Sequence, residues 1–273
     1  MKTRIISGIL MALIVVFVLL AGFNLSPIVI TAFVAVVAAV GCYELIHNAA
    51  GIKSRLAVWG AVLFTALFVL FRDYNITQGI LYGDLTPVFL AAFYFIFAAF
   101  CTLKNHKEFE LSHIVMLCAM PIILGYAFST LGLVISDSGS IYYLLLLFNF
   151  SSVCDMGAYF VGVTMGKHKL CPNISPKKTV EGALGGIISS LVVSLIITLS
   201  FSAFDKILMT LILTIPLCIV GMVGDLFASS IKRAVGLKDY GSLIPGHGGI
   251  LDRVDSILMI APVLYLFMTA GVL

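Results

Sequence analysis

The chain has 273 residues, 61% of them hydrophobic and 11% charged, with a mean hydropathy of +1.16. A soluble globule of that length needs far more polar surface, so the composition excludes one and points to an integral membrane protein. The formal net charge is only +3, and where the charges fall is more informative than their sum.

In chain order, residues 1–23 open with Lys2 and Arg4 and continue as an apolar run of about twenty residues, long enough to cross a bilayer and without an A-x-A cleavage signal. They read as a retained first helix. Further spans are expected at roughly 26–47, 56–71, 85–103, 113–135, 141–165, 180–200, 206–231 and 250–271, nine in all. The fold class is therefore all-α, a polytopic membrane protein of about nine transmembrane helices. No linker, composition shift, low-complexity tract or short-period repeat divides the chain. A single integral-membrane domain over 1–273 is expected, with the active-site half at about 141–273. The six cysteines stand singly without a CxxC pair, which suggests packing rather than zinc or a disulfide framework.

With nine spans, fourteen of the sixteen Lys and Arg residues fall on the N-terminal side of the membrane, and only Arg72 and Lys206 fall on the other. The positive-inside rule then puts the N-terminus in the cytoplasm and the C-terminus outside. The polar segment 229–255 comes to lie on the cytosolic side.

Polar residues interrupt the apolar pattern at four places. Glu44, His47 and Asn48 close the second span and read as an interfacial cluster. Asn149, Ser152, Asp155 and Tyr159 recur at helical spacing in the sixth span, as one stripe that must face protein or water; it either holds helices together or lines a cavity. In the loop 166–182, Ser175 followed by Pro176 has the form of a helix N-cap with proline at the first helical position. Lys177 and Lys178 would then oppose the helix dipole, a conflict that a bound anion resolves, unless they serve only to set topology. In the eighth span Gly221, Gly224 and Ala228 form a small-residue face for close helix approach, and Asp225, Ser229 and Lys232 share another face.

The densest polar stretch is 229–255. Lys232, Arg233 and Lys238 suit phosphate oxygens. Asp252 and Asp255, three apart, share a helix face, and Asp225 offers a third carboxylate, a combination suited to Mg2+ and a polyphosphate. Gly246, Gly248 and Gly249 let backbone N–H groups approach a ligand.

The order Ser229, Lys232-Arg233, Lys238-Asp239, Gly241, Pro245, His247-Gly248-Gly249, Asp252-Arg253 and Asp255 resembles the signature of phosphatidate cytidylyltransferases, also called CDP-diacylglycerol synthases, without departure across these 27 positions. The D-x-x-A-Y element from Asp155 to Tyr159 and the S-P-K-K-T-x-E-G element from Ser175 to Gly182 are similar to further elements of that family. The resemblance implies a membrane enzyme that joins CTP and phosphatidic acid into CDP-diacylglycerol, releases pyrophosphate and requires Mg2+, with room for a second cation. It also implies a cytoplasmic-membrane location with the active site facing the cytosol. Implied catalytic residues are Asp225, Lys232, Arg233, Lys238, Asp239, His247, Asp252 and Arg253. Asp155, Tyr159, Ser175, Lys177, Lys178, Thr179, Gly248 and Gly249 would bind CTP or lipid phosphate, and Asp225, Asp252 and Asp255 would hold metal. The expected partners are CTP, phosphatidic acid and membrane lipid, with no nucleic acid; homo-oligomerisation is left open. A CTP-dependent lipid kinase is the nearer alternative and a transporter the more distant one.

Single-cysteine labelling in a cysteine-free background tests the topology. Positions 105 and 138 are expected on opposite sides of the membrane, and labelling of both from one side overturns the nine-span arrangement.

Overall fold

In a computed structural model of the protein, the described residues are 2–24, 26–77, 85–104, 106, 108–136 and 140–273. Lys107 and the labelling positions 105 and 138 fall outside them. Among the described residues, eight helices are long and apolar enough to cross a membrane. They are α1 (Lys2–Asn24), α2 (Ile28–Tyr43) with a π turn Glu44–Ala49, α3 (Arg55–Thr77), α4 (Thr86–Lys104), α5 (Leu111–Ser136), the joined pair α6 (Ser140–Phe148) and α7 (Cys154–Met165), α8 (Val180–Ser200) and α9 (Ile207–Ala234). The ninth expected span is also helical, α10 (Leu251–Thr269), but Asp252, Arg253 and Asp255 crowd its first turns and set it apart from the eight. Helices dominate because hydrocarbon cannot satisfy backbone N–H and C=O groups, which must pair within each segment. The polar loop before α8 forms a small antiparallel hairpin of β1 (Lys169–Cys171) and β2 (Ser175–Thr179).

The chain forms two compact units, Met1–Ser136 with Val235–Arg253, and Asp137–Ala234 with Val254–Leu273. In the first unit α2, α3 and α5 pack on one another, and α4 lies against α3 and α5. Tyr94 of α4 stacks on Phe64 of α3 with ring centroids 4.1 Å apart and donates from its hydroxyl to Leu117 O at 2.7 Å. Arg72, one of the two cations that the nine-span reading sets apart from the other fourteen, is buried: it donates to Ser129 Oγ at 2.7 Å and lies 4.6 Å from the centre of the Tyr126 ring. Its neighbour Asp73 accepts from Thr31. Arg72 therefore knits α3 to α5.

The second unit is held by small and hydroxylated residues. Gly185 and Gly186 of α8 are buried against α7, so close that a Cβ on Gly186 would lie 2.6 Å from Cys154 O. Gly221 and Gly224 do the same for α9 against α10, where a Cβ would meet Ile260 and Met259 at 2.8 Å each, as the small-residue face predicts. Asn149, 1% exposed, donates its side-chain amide to Ser190 O at 3.0 Å and Ser194 Oγ at 2.8 Å, and Ser194 in turn meets Thr214 Oγ1 at 2.7 Å. Such hydrogen bonds between apolar helices satisfy polar groups that lipid cannot.

The polar stripe expected along the sixth span is thereby divided. A π turn, Asn149–Val153, joins α6 to α7 and resets the angular register, so Asn149 faces α8 while Asp155 and Tyr159 face a cavity.

Gly186→Ala is expected to lower unfolding stability by about 1–3 kcal/mol, because the obstructing atom is backbone and cannot turn aside. Thermal melting in detergent checks it; an unchanged melting temperature shows that α7 and α8 tolerate separation.

Candidate functional site

The polar residues gather in two places, one in each unit. In the first unit, the loop between α9 and α10 contains a tight turn in which His247 N donates to Ile244 O at 2.9 Å and Ile244 N to Gly248 O at 2.9 Å. Pro245 occupies its second position and Gly246, with φ +79°, its third. That is the pattern of a type II turn, which demands positive φ at the third position. Ser7 of α1 donates to Pro245 O at 3.0 Å, and its Oγ lies 2.9 Å from His247 Nδ1. Asp252 is buried at the start of α10, and its Oδ2 accepts from Tyr240 N at 2.8 Å and Gly249 N at 2.9 Å. Lys238, Asp239 and Arg253 are exposed.

Glu44, expected at the interface, is instead 2% exposed. Its two oxygens accept from Ile250 N and Leu251 N at 3.0 Å each, filling the role of a cap for α10. The contacting residues are about two hundred positions apart in sequence (206 and 207). Nothing local to Glu44 could have announced them; the one available signal was an acid at the end of an otherwise apolar helix.

In the second unit a cavity of about 500 Å³ lies between α7, the hairpin and the facing parts of α8 and α9. Seven of the expected site residues line it: Asp155, Tyr159, Ser175, Lys177, Lys178, Thr179 and Asp225. Lys169 joins them from β1, although the sequence distinguishes it only as a marker of orientation. Lys178 Nζ lies 2.5 Å from Asp225 Oδ2, an ion pair across the cavity wall. Ala158, Val163, Leu170, Ala183 and Met222 give the same cavity apolar walls.

The hairpin corrects one local expectation. Ser175 does not cap a helix, and Lys177 and Lys178 do not stand in a first helical turn, because 175–179 is the strand β2, paired with β1 through Lys169 opposite Thr179 and Cys171 opposite Ser175. The residue before a proline favours extended backbone whether it caps a helix or sits in a strand, so Ser-Pro fits both. The helix starts at Val180 instead. Thr179 is its N-cap, with Oγ1 accepting from Gly182 N at 3.1 Å. Glu181 in the first turn accepts from Lys167 N at 3.0 Å and pairs with His168 at 2.5 Å, which ties the entry of the hairpin to its exit.

Lys232 is buried and Arg233 exposed in the last turn of α9, where cations complement the helix dipole. Asp255 accepts from Ser256 N at 2.8 Å. Asp225 and Asp255 belong to the second unit and Asp252 to the first. Among the described residues, no group of three or more His, Cys, Asp or Glu side chains comes together as a metal site.

The sequence profile of the cytidylyltransferase family matches residues 2–270. The phosphatidate cytidylyltransferase of Staphylococcus saprophyticus is 35% identical over 265 residues, covering 97% of this chain and 97% of that protein. Its counterpart from Staphylococcus epidermidis is 33% identical with the same coverage. The phosphatidate cytidylyltransferase of Bacillus subtilis is 30% identical over 97% of this chain and 96% of its own length. The match takes in the loop of the first unit and the cavity of the second alike, and the chain belongs to the cytidylyltransferase family.

Proposed function

We propose that the chain transfers the cytidylyl group of CTP to phosphatidic acid, giving CDP-diacylglycerol and pyrophosphate; its relatives are named phosphatidate cytidylyltransferases. The observation that carries this reading is the cavity of the second unit, which Lys169, Lys177 and Lys178 line together with Asp155 and Asp225 beside apolar walls. Three lysines against two carboxylates leave the cavity with net positive charge for an anion. Polar and apolar walls together suit a nucleotide phosphate chain meeting a lipid.

In the reaction an oxygen of the lipid phosphate forms a bond to the α phosphorus of CTP, and the bond to the β-phosphate oxygen breaks. A phosphate monoester has its second pKa at about 6, so it is largely ionised near neutral pH and needs no strong base. The obstacle is repulsion between two polyanions. The lysines of the cavity offset it by lying against the phosphate oxygens, and they stabilise the charge that builds on the departing pyrophosphate.

Mg2+ fits this donor set with Asp155 and Asp225 as its protein partners, because it takes one or two carboxylates together with substrate phosphates rather than a closed protein cage. Asp252 fits less well, since its Oδ2 already accepts two backbone N–H groups. When bound, the ion would supply charge neutralisation at the reacting phosphates. Asp225 also holds Lys178 at the cavity wall until an anion takes its place. The excess of Lys and Arg on the N-terminal side supports a site facing the cytosol of a cytoplasmic membrane, where CTP is found.

Purified protein given labelled CTP and phosphatidic acid should yield CDP-diacylglycerol and pyrophosphate. CDP with a newly phosphorylated lipid would instead indicate a CTP-dependent kinase, and no product at all would overturn both. Replacing Lys177 and Lys178 with Gln removes charge-assisted contacts of about 1.5–3 kcal/mol each, so KM for CTP should rise roughly 10- to 100-fold per lysine while KM for phosphatidic acid changes far less. Asp225→Asn should lower kcat by at least about 100-fold, the scale seen when a charge-stabilising group is lost from a reaction site. Near-normal turnover of Asp225→Asn would leave Asp225 only its pairing with Lys178.

A further inference from the structure

Glu44 lies outside the machinery described above, yet it is buried and accepts from two backbone N–H groups of the first unit. A carboxylate 2% exposed is costly to keep in an apolar setting, and a helix start needs only a serine or an aspartate of its own to be capped. Here the cap of α10 comes from the end of α2 instead. The same carboxylate occupies the space that side chains at two glycines of the loop would need: a Cβ on Gly241 would lie 2.6 Å from Oε1 and one on Gly249 2.5 Å from Oε2.

Asn48, one turn further along the same segment, donates to Tyr240 O at 2.9 Å. The end of α2 therefore grips the loop at both its limits, at Tyr240 through Asn48 and at Ile250 and Leu251 through Glu44. Asp252 closes the ring by tying Tyr240 N to Gly249 N. Between the two grips the backbone runs through the Pro245-Gly246 turn that carries His247, and Lys238 and Asp239 lead directly into the first grip.

We propose that Glu44 is a positioning residue for the transferase reaction: it fixes the backbone of the glycine-rich loop, and through it the placement of Lys238, Asp239 and His247, without touching substrate. The proposal rests on the cytidylyl-transfer reading. It assigns a role to a residue on a helix remote in sequence from the signature stretch.

Glu44→Gln keeps the shape but turns one acceptor into an amide N–H facing a backbone N–H. A displacement of the loop by about 1 Å is enough to cost on the order of 100-fold in rate. The expected result is a kcat lowered by about that factor, with KM for CTP within roughly threefold of the parent and the melting temperature lowered by only a few degrees. Amide hydrogen exchange of residues 241–251, measured on the full chain in detergent without substrate, should be faster in Glu44→Gln than in the parent. Gly241→Ala displaces the same carboxylate from the other side and should reproduce both changes. Because their effects share one contact, Glu44→Gln with Gly241→Ala should be hardly worse than either alone.

A Glu44→Gln protein with parental kcat, or with unchanged exchange across the loop, overturns the proposal, as does a double variant in which the two losses multiply. Failure of the parent protein to form CDP-diacylglycerol overturns the reaction instead. The exchange measurement separates the two cases because it needs no turnover.

Discussion

Where α10 begins, two backbone N–H groups that no helical carbonyl can reach are met by a carboxylate from the end of α2, and the order of the signature loop depends on that contact. The constraint is general wherever a helix end is buried, because a buried backbone donor left unpaired costs about 1–3 kcal/mol. What is particular here is the direction from which relief comes. Glu44 arrives from a helix that ends in a π turn, and the wider turn is the segment that bears both Glu44 and Asn48. Glycine at 241 and 249 then follows from the same geometry, since any side chain there would occupy the space of the carboxylate.

The second unit solves a different problem with different residues. Its helices must approach closely enough to frame a cavity without closing it, and small residues do this by letting backbones touch: Gly185 and Gly186 towards α7, Gly221 and Gly224 towards α10. Hydroxyl and amide side chains then fasten the contacts, with Asn149, Ser190, Ser194 and Thr214 forming a buried polar seam. The hairpin leaves the membrane pattern altogether and brings Lys169, Lys177 and Lys178 from two strands to the wall of one cavity. Asp225 balances them from α9.

The distinction between polar residues that hold helices together and those that line a cavity runs through single helices. Along α6 and α7, Asn149 belongs to the seam and Asp155 to the cavity, although their spacing in the sequence is that of one stripe. A π turn between them changes the number of residues per turn, and periodicity alone cannot register such a change. Ser175 and Pro176 teach the same lesson in another form. Extended backbone before a proline is common to helix caps and strands, and only pairing with β1 makes the segment a strand and moves the helix start to Val180.

The sequence by itself determined the membrane class, the helical spans, the uneven distribution of Lys and Arg, and the family, because each depends on composition or on spacing within one segment. It also named seven residues that the cavity brings together, since their types carry the chemistry wherever they stand. Tertiary structure alone decided that Glu44 caps a helix 206 residues away, that Lys169 lines the cavity, that Lys178 leans on Asp225, and that Asn149 bonds to α8. These are contacts between segments whose order along the chain says nothing of which of their faces meet. A side chain's partner is set by the packing of whole helices, and that packing is a property of the folded chain rather than of any stretch of it.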